Sequence, residues 1–165
     1  MKLKLLFLLL TTSAFYISHA QFKTCGYDKQ KMKFKIMQDM EVTANTDTKF
    51  EAKDKDFYLG IATITGKTYT YDGMKDGIVE IANKVKGFTY SLDVINRGGG
   101  KQPMYLTELD HFWGITVEGQ QNGDAITLVL LVNPDNPDIS YIVYFRYDVA
   151  YYREVKIILN SFQPE

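Results

Sequence analysis

Apolar residues recur along the chain with two different spacings, and the changes of spacing divide it into elements. Met32, Phe34 and Ile36 alternate with Lys31, Lys33 and Lys35. Period two with lysine on the other side predicts a half-buried strand. Residues 48–52 and 56–65 predict two more strands. The second reads Phe57-Tyr58-Leu59-Gly60-Ile61-Ala62-Thr63-Ile64, apolar on both faces, which predicts a central position in a sheet. Over residues 72–86 the period becomes helical. Met74, Ile78, Ile81, Ala82 and Val85 share one face, and Lys75, Asp76, Glu80, Lys84 and Lys86 cover the other. Asp72 is placed to cap the start, and Gly87 to take the left-handed position past the end. Gly77 costs about 1 kcal/mol relative to alanine inside a helix, which predicts that the helix lies close on the sheet there.

The second half returns to strands. Residues 88–94 alternate Phe88, Tyr90, Leu92 and Val94, and Arg97-Gly98-Gly99-Gly100-Lys101 predicts a loop. Trp113, Ile115 and Val117 alternate before Gln120-Gln121-Asn122-Gly123, a hairpin signal because Asn-Gly tolerates positive φ. Residues 125–132 form the most continuous apolar run and predict burial on both faces. A turn over residues 133–138 leads to a strand at 140–147. Asp148 is placed to cap a last helix in which Tyr151, Val155, Ile158 and Phe162 stand four, three and four apart. Short turns between consecutive strands predict antiparallel pairing. The expected fold is α+β: a largely antiparallel sheet of six or seven strands, one helix after the third strand, and a C-terminal helix packed on it.

Composition adjusts this picture in two ways. The 165 residues suffice for one domain, and 14% aromatic content favours strands. One cysteine excludes an internal disulfide. The N-terminus carries an address: Lys2 and Lys4, an apolar core from Leu5 through Leu10 and on to Ile17, then Ser18-His19-Ala20. This is the layout of a secretory signal peptide cut after Ala20, with an apolar run too short for a membrane anchor. Cys25 does not sit in a lipobox pattern, so no lipid anchor is expected. Residues 1–20 are thus a signal peptide and 21–165 a single domain whose folded part begins near residue 27, with Cys25 in an unstructured start. The mature chain has 17 basic and 20 acidic residues, a net charge of −3 without a basic stripe, which argues against nucleic-acid binding.

The residues that could carry chemistry are few. His111 is the one histidine left after cleavage, and its neighbour Asp110 points to the opposite side of a strand, so no acid–base pair is expected from adjacency. One His and one Cys are too few for a zinc site. Asp135, Asn136 and Asp138, or Asp54 and Asp56, lack the EF-hand spacing and suit turns. No catalytic residue, metal or cofactor is therefore assigned. Tyr141, Tyr144, Tyr147, Tyr151 and Tyr152 form the densest tyrosine cluster. Tyrosines supply amphipathic contact area, so these five are the candidate binding residues; the alternative is packing of the last helix on its strand.

The order of elements, and the ending Ile157-Ile158-Leu159-Asn160-Ser161-Phe162 before a proline, resembles the secreted PsbP-like domains. Their superfamily also contains Ran-binding nuclear import factors. The resemblance implies an antiparallel sheet between helices and a non-enzymatic binding or accessory role. The expected function is that of a secreted or periplasmic module recognising a protein or small ligand of the cell envelope. Two alternatives stand beside it: a small secreted hydrolase-type enzyme using His111, and an inhibitor or immunity-type module. A cystatin-like or NTF2-like fold would place its long helix before most of the strands, unlike the order here.

Overall fold

Eight strands pair antiparallel in a large sheet, and three more make a small sheet against it. The computed structural model describes residues 20–90, 105–109 and 111–165. The predicted signal peptide up to His19, residues 91–94 of the predicted strand, the Arg97–Lys101 loop and Asp110 lie outside the described residues. The strands are β1 (Phe22–Tyr27), β2 (Met32–Met37), β3 (Glu41–Asn45), β4 (Lys49–Lys53) and β5 (Phe57–Thr65), followed by helix α1 (Met74–Lys84). Then come β6 (Phe88–Tyr90), β7 (Tyr105–Leu109), β8 (Phe112–Gln121), β9 (Asp124–Val132), β10 (Ile139–Tyr147), helix α2 (Tyr152–Leu159) and β11 (Gln163–Pro164). The large sheet runs β3-β4-β5-β10-β9-β8-β6, and β7 pairs with β8 along the same edge as β6. The small sheet is β1-β2-β11.

The fold is the expected α+β class with antiparallel pairing throughout the described residues. Period-two alternation sorts side chains into two cores. Leu59, Ile61, Val129, Leu131, Val143 and Phe145 face β1, β2 and α2. Ile115, Val117, Leu128, Leu130 and Val132 face α1. The continuous run in β9 is buried on both faces from Ile126 to Val132, as its composition predicts. Asn122 and Gly123 take φ of 52° and 96° in the β8–β9 hairpin, the positive values that Asn-Gly allows.

Several local expectations are corrected. The stretch around Cys25 is not unstructured: β1 pairs with β2 over its whole length, and Cys25 stands opposite Phe34. Strand β1 was not legible because five of its six residues are half-buried or exposed without a period. Strand β3 was also missed; it is an edge strand, mostly exposed, with a bulge between Val42 and Ala44. Helix α1 therefore follows five strands rather than three. Its N-cap is Gly73 and not Asp72; Thr70 Oγ1 accepts from the Gly73 N–H at 3.1 Å. Asp148 does cap, accepting from the Ala150 N–H at 2.9 Å, but at a 3-10 turn that leads into α2.

The C-terminal ending owes its form to β2. Ser161 Oγ accepts from the Lys35 N–H at 2.7 Å and donates to the Ile158 carbonyl at 2.6 Å. Phe162 then stacks on Phe34 with ring centroids 4.8 Å apart. The Ser-Phe pair is thus the hinge pin that seats α2 and starts β11.

Candidate functional site

Helix α1 makes its main sheet contacts with β8 and β9. Among the described residues, the sheet face beyond them, over β10, β5 and β4, holds an open hollow. Register places Tyr144, Gly60 and Glu51 in one row across it. The next rows are Arg146, Tyr58 and Lys53 on one side, and Ile142, Ala62 and Lys49 on the other. Gly60 and Ala62 leave the floor low, and the result is an open trough of about 230 Å³.

Gly60 is where the trough is decided. A Cβ there would stand 3.0 Å from the Tyr58 ring and hydroxyl. With no Cβ, Tyr58 lies across the glycine and donates to Glu51 Oε1 at 2.5 Å. Lys49 Nζ meets the same oxygen at 2.8 Å. Tyr144 packs on Tyr58, centroids 5.9 Å apart at 68°, and donates to Gln121 Oε1 at 2.6 Å. Arg146 sits 5.7 Å from the Tyr58 ring centroid, a cation over a π face, and 3.6 Å from Asp124.

The electrostatics keep both phenols neutral. Burial, then the Glu51 carboxylate, drives the Tyr58 hydroxyl far above its ordinary range. Burial raises Tyr144 as well, against the pull of Arg146. The hydrogen bonds from Lys49 and Tyr58 hold Glu51 below the usual carboxylate range. A phenol that holds its proton this firmly is a poor nucleophile or base. The arrangement offers two pinned aromatic rings, an apolar floor and a charged rim, which suits contact and orientation. A second hollow of about 180 Å³ continues past Tyr58 and Arg146, walled by Asp54, Asp56, Asp124 and Asp148. Asp54 Oδ1 there accepts from the Asp56 and Phe57 N–H groups, closing a turn.

The structure separates the five tyrosines singled out from the sequence. Tyr141 and Tyr147 are 5% and 3% exposed and point into the core shared with β1, β2 and α2. Tyr147 bonds the buried Thr127 hydroxyl at 2.8 Å. Tyr144, an even position on the same strand, points to the opposite face and lines the trough. Tyr151 lies edge-on to Phe57 at 5.9 Å. Tyr152 donates to Glu118 Oε1 at 3.1 Å under the Lys156 ammonium. His111 is exposed between β7 and β8, and neither hollow includes it. Among the described residues no three His, Cys, Asp or Glu side chains are grouped to hold a metal.

Sequence reasoning missed Tyr58, because β5 reads as apolar on both faces. The parity of Tyr58, Gly60 and Ala62, opposite to Phe57, Leu59 and Ile61, was the available signal. It also missed an exposed aromatic pair, Tyr71 and Trp113, with centroids 5.7 Å apart.

No family model and no curated protein matches the sequence. Among solved structures the chain is similar to a point mutant of protein Mog1, with TM-score 0.56 and 9% identity over 87% of this chain and 96% of that one. It is similar to the Ran-binding protein Mog1p of Saccharomyces cerevisiae, with TM-score 0.56 and 10% identity over 88% and 96%. The likeness is one of fold.

Proposed function

We propose that the chain is an exported, non-catalytic recognition domain that holds a protein or small ligand of the cell envelope in the trough between Tyr58 and Tyr144. The observation that carries this reading is that, among the described residues, α1 packs chiefly on β8 and β9 and an aromatic-walled trough lies open over β10, β5 and β4. Its walls are pre-organised by the Tyr58–Glu51–Lys49 and Tyr144–Gln121 contacts, so little side-chain freedom is lost on binding. Of the five tyrosines, Tyr144 belongs to this surface, while Tyr151 and Tyr152 offer a separate, half-buried contact at the start of α2. The fold is shared with a protein described as Ran-binding, which supports a recognition role without naming the partner. Export rests on the Lys2–Ala20 segment, and the PsbP-like ending is in keeping with it.

Ala62 is exposed on the floor, so Ala62→Lys fills the trough without touching the core. Affinity for a partner captured from the source cell's envelope fraction is expected to fall at least about tenfold, or about 1.4 kcal/mol, with the circular dichroism spectrum unchanged. His111→Ala is expected to leave capture and any accompanying activity unaltered. Equal capture by Ala62→Lys would remove the trough from consideration, and loss of a hydrolytic activity in His111→Ala would favour the enzyme reading.

A further inference from the structure

We propose that Gln21 is a modification site: once the chain is cut after Ala20, the new N-terminal glutamine closes on itself to a pyroglutamate lactam. The inference rests on the export part of the proposed function. It goes further, because it assigns a chemical fate to one residue.

The cut places a glutamine first, and the structure shows how that residue is held. Gln21 is exposed. Among the described residues its carbonyl alone is engaged, accepting from the Gln38 N–H at 2.7 Å. Its side-chain amide has no described partner. Cyclisation takes place within the residue and needs only that the amide reach its own α-nitrogen. The α-amine attacks Cδ, the Cδ–Nα bond forms, the Cδ–Nε2 bond breaks, and Nε2 leaves as ammonia with a proton taken from the amine. No oxidant, metal or second substrate enters.

The position of Gln21 against the sheet gives the lactam a use. Strand β1 begins at the next residue, where Phe22 pairs with Met37. There is no spare chain between the terminus and the sheet. An aminopeptidase that removed two residues would delete the Gln21–Gln38 bond and the Phe22–Met37 pair together. A lactam has no free α-amine for such an enzyme to grip. It also removes a positive charge from a corner where the Lys23 ammonium already occupies the Gln38 and Met40 carbonyls, at 2.8 and 2.9 Å.

The test is intact-mass and N-terminal peptide mass spectrometry on the full chain, freshly exported by a secreting host. The expected product begins at residue 21 and is about 17 Da lighter than the free-amine chain, the mass of one ammonia. Gln21→Ala is expected to start at the same position without the deficit and to be trimmed by an added aminopeptidase that leaves the wild type intact. A chain beginning at Gln21 with its full mass would overturn the lactam and leave export standing. A chain that keeps residues 1–20, or begins elsewhere, would overturn export and the lactam with it.

Discussion

A methyl group added at residue 77 has no space to occupy. A Cβ on Gly77 would lie 2.8 Å from Tyr69 Cδ1 and 3.3 Å from Leu130 Cδ2. The sequence made Gly77 a position of close approach; the structure adds that the neighbour is chiefly the Tyr69 ring, which folds over the helix beside the sheet. Alanine would gain about 1 kcal/mol of helix propensity, but overpacking a fixed ring costs about 1–3 kcal/mol. Gly77→Ala is therefore expected to lower the urea midpoint; a midpoint equal to or above wild type would mean that the Tyr69 ring swings aside freely. Parity matters equally at this scale. Tyr141 and Tyr147 are odd and Tyr144 is even, and in a strand that alone sends them to opposite faces. The cluster was dense in sequence and divided in space, and alternation within 140–147 already contained the division.

At the scale of elements, strong periodicity was readable and weak periodicity was not. Helix α1 and helix α2 carry wide apolar stripes, and Met74, Ile78, Val155 and Ile158 are all fully buried. Strands β1, β3 and β11 carry no such stripe, because each is a short edge or is held by a partner distant in sequence. The C-terminal end shows how much such a partner contributes. Shortening the chain after Phe162 removes the two-residue β11 and the exposed Lys33–Glu165 pair, so only a small loss of stability is expected. Phe162→Ala instead removes the ring stacked on Phe34 and is expected to cost about 3–5 kcal/mol, as buried aromatic truncations do. Chemical denaturation of the two variants checks this order, and comparable losses would refute it.

Across the whole molecule, the buried phenols set a limit on alkaline stability. Burial pushes Tyr147 up to about 12, and Tyr27, Tyr58, Tyr141 and Tyr144 are raised as well. In the unfolded chain a tyrosine titrates near its ordinary value of about 10. Between these values the unfolded chain has released a proton that the folded chain still holds. Stability is therefore full below about pH 10 and falls as pH rises toward about 12. Urea midpoints measured across that range should decline, and Tyr147→Phe should decline less steeply, though from a lower plateau because Thr127 loses its partner. A flat profile would show that the phenols ionise without unfolding.

The sequence by itself determined which residues form strands and helices wherever one face is buried, because burial imposes a period of two or 3.6 on the apolar positions. It also determined the antiparallel sense, since short turns permit no other, and the hairpin at Asn122-Gly123. Only the tertiary structure decided that α1 packs chiefly on β8 and β9, that β1 and β11 meet on β2, and that Tyr58 and Tyr144 share a trough. Those outcomes depend on contacts between positions far apart in the chain. No local period records them, and the trough is visible only once the helix has been laid beside it.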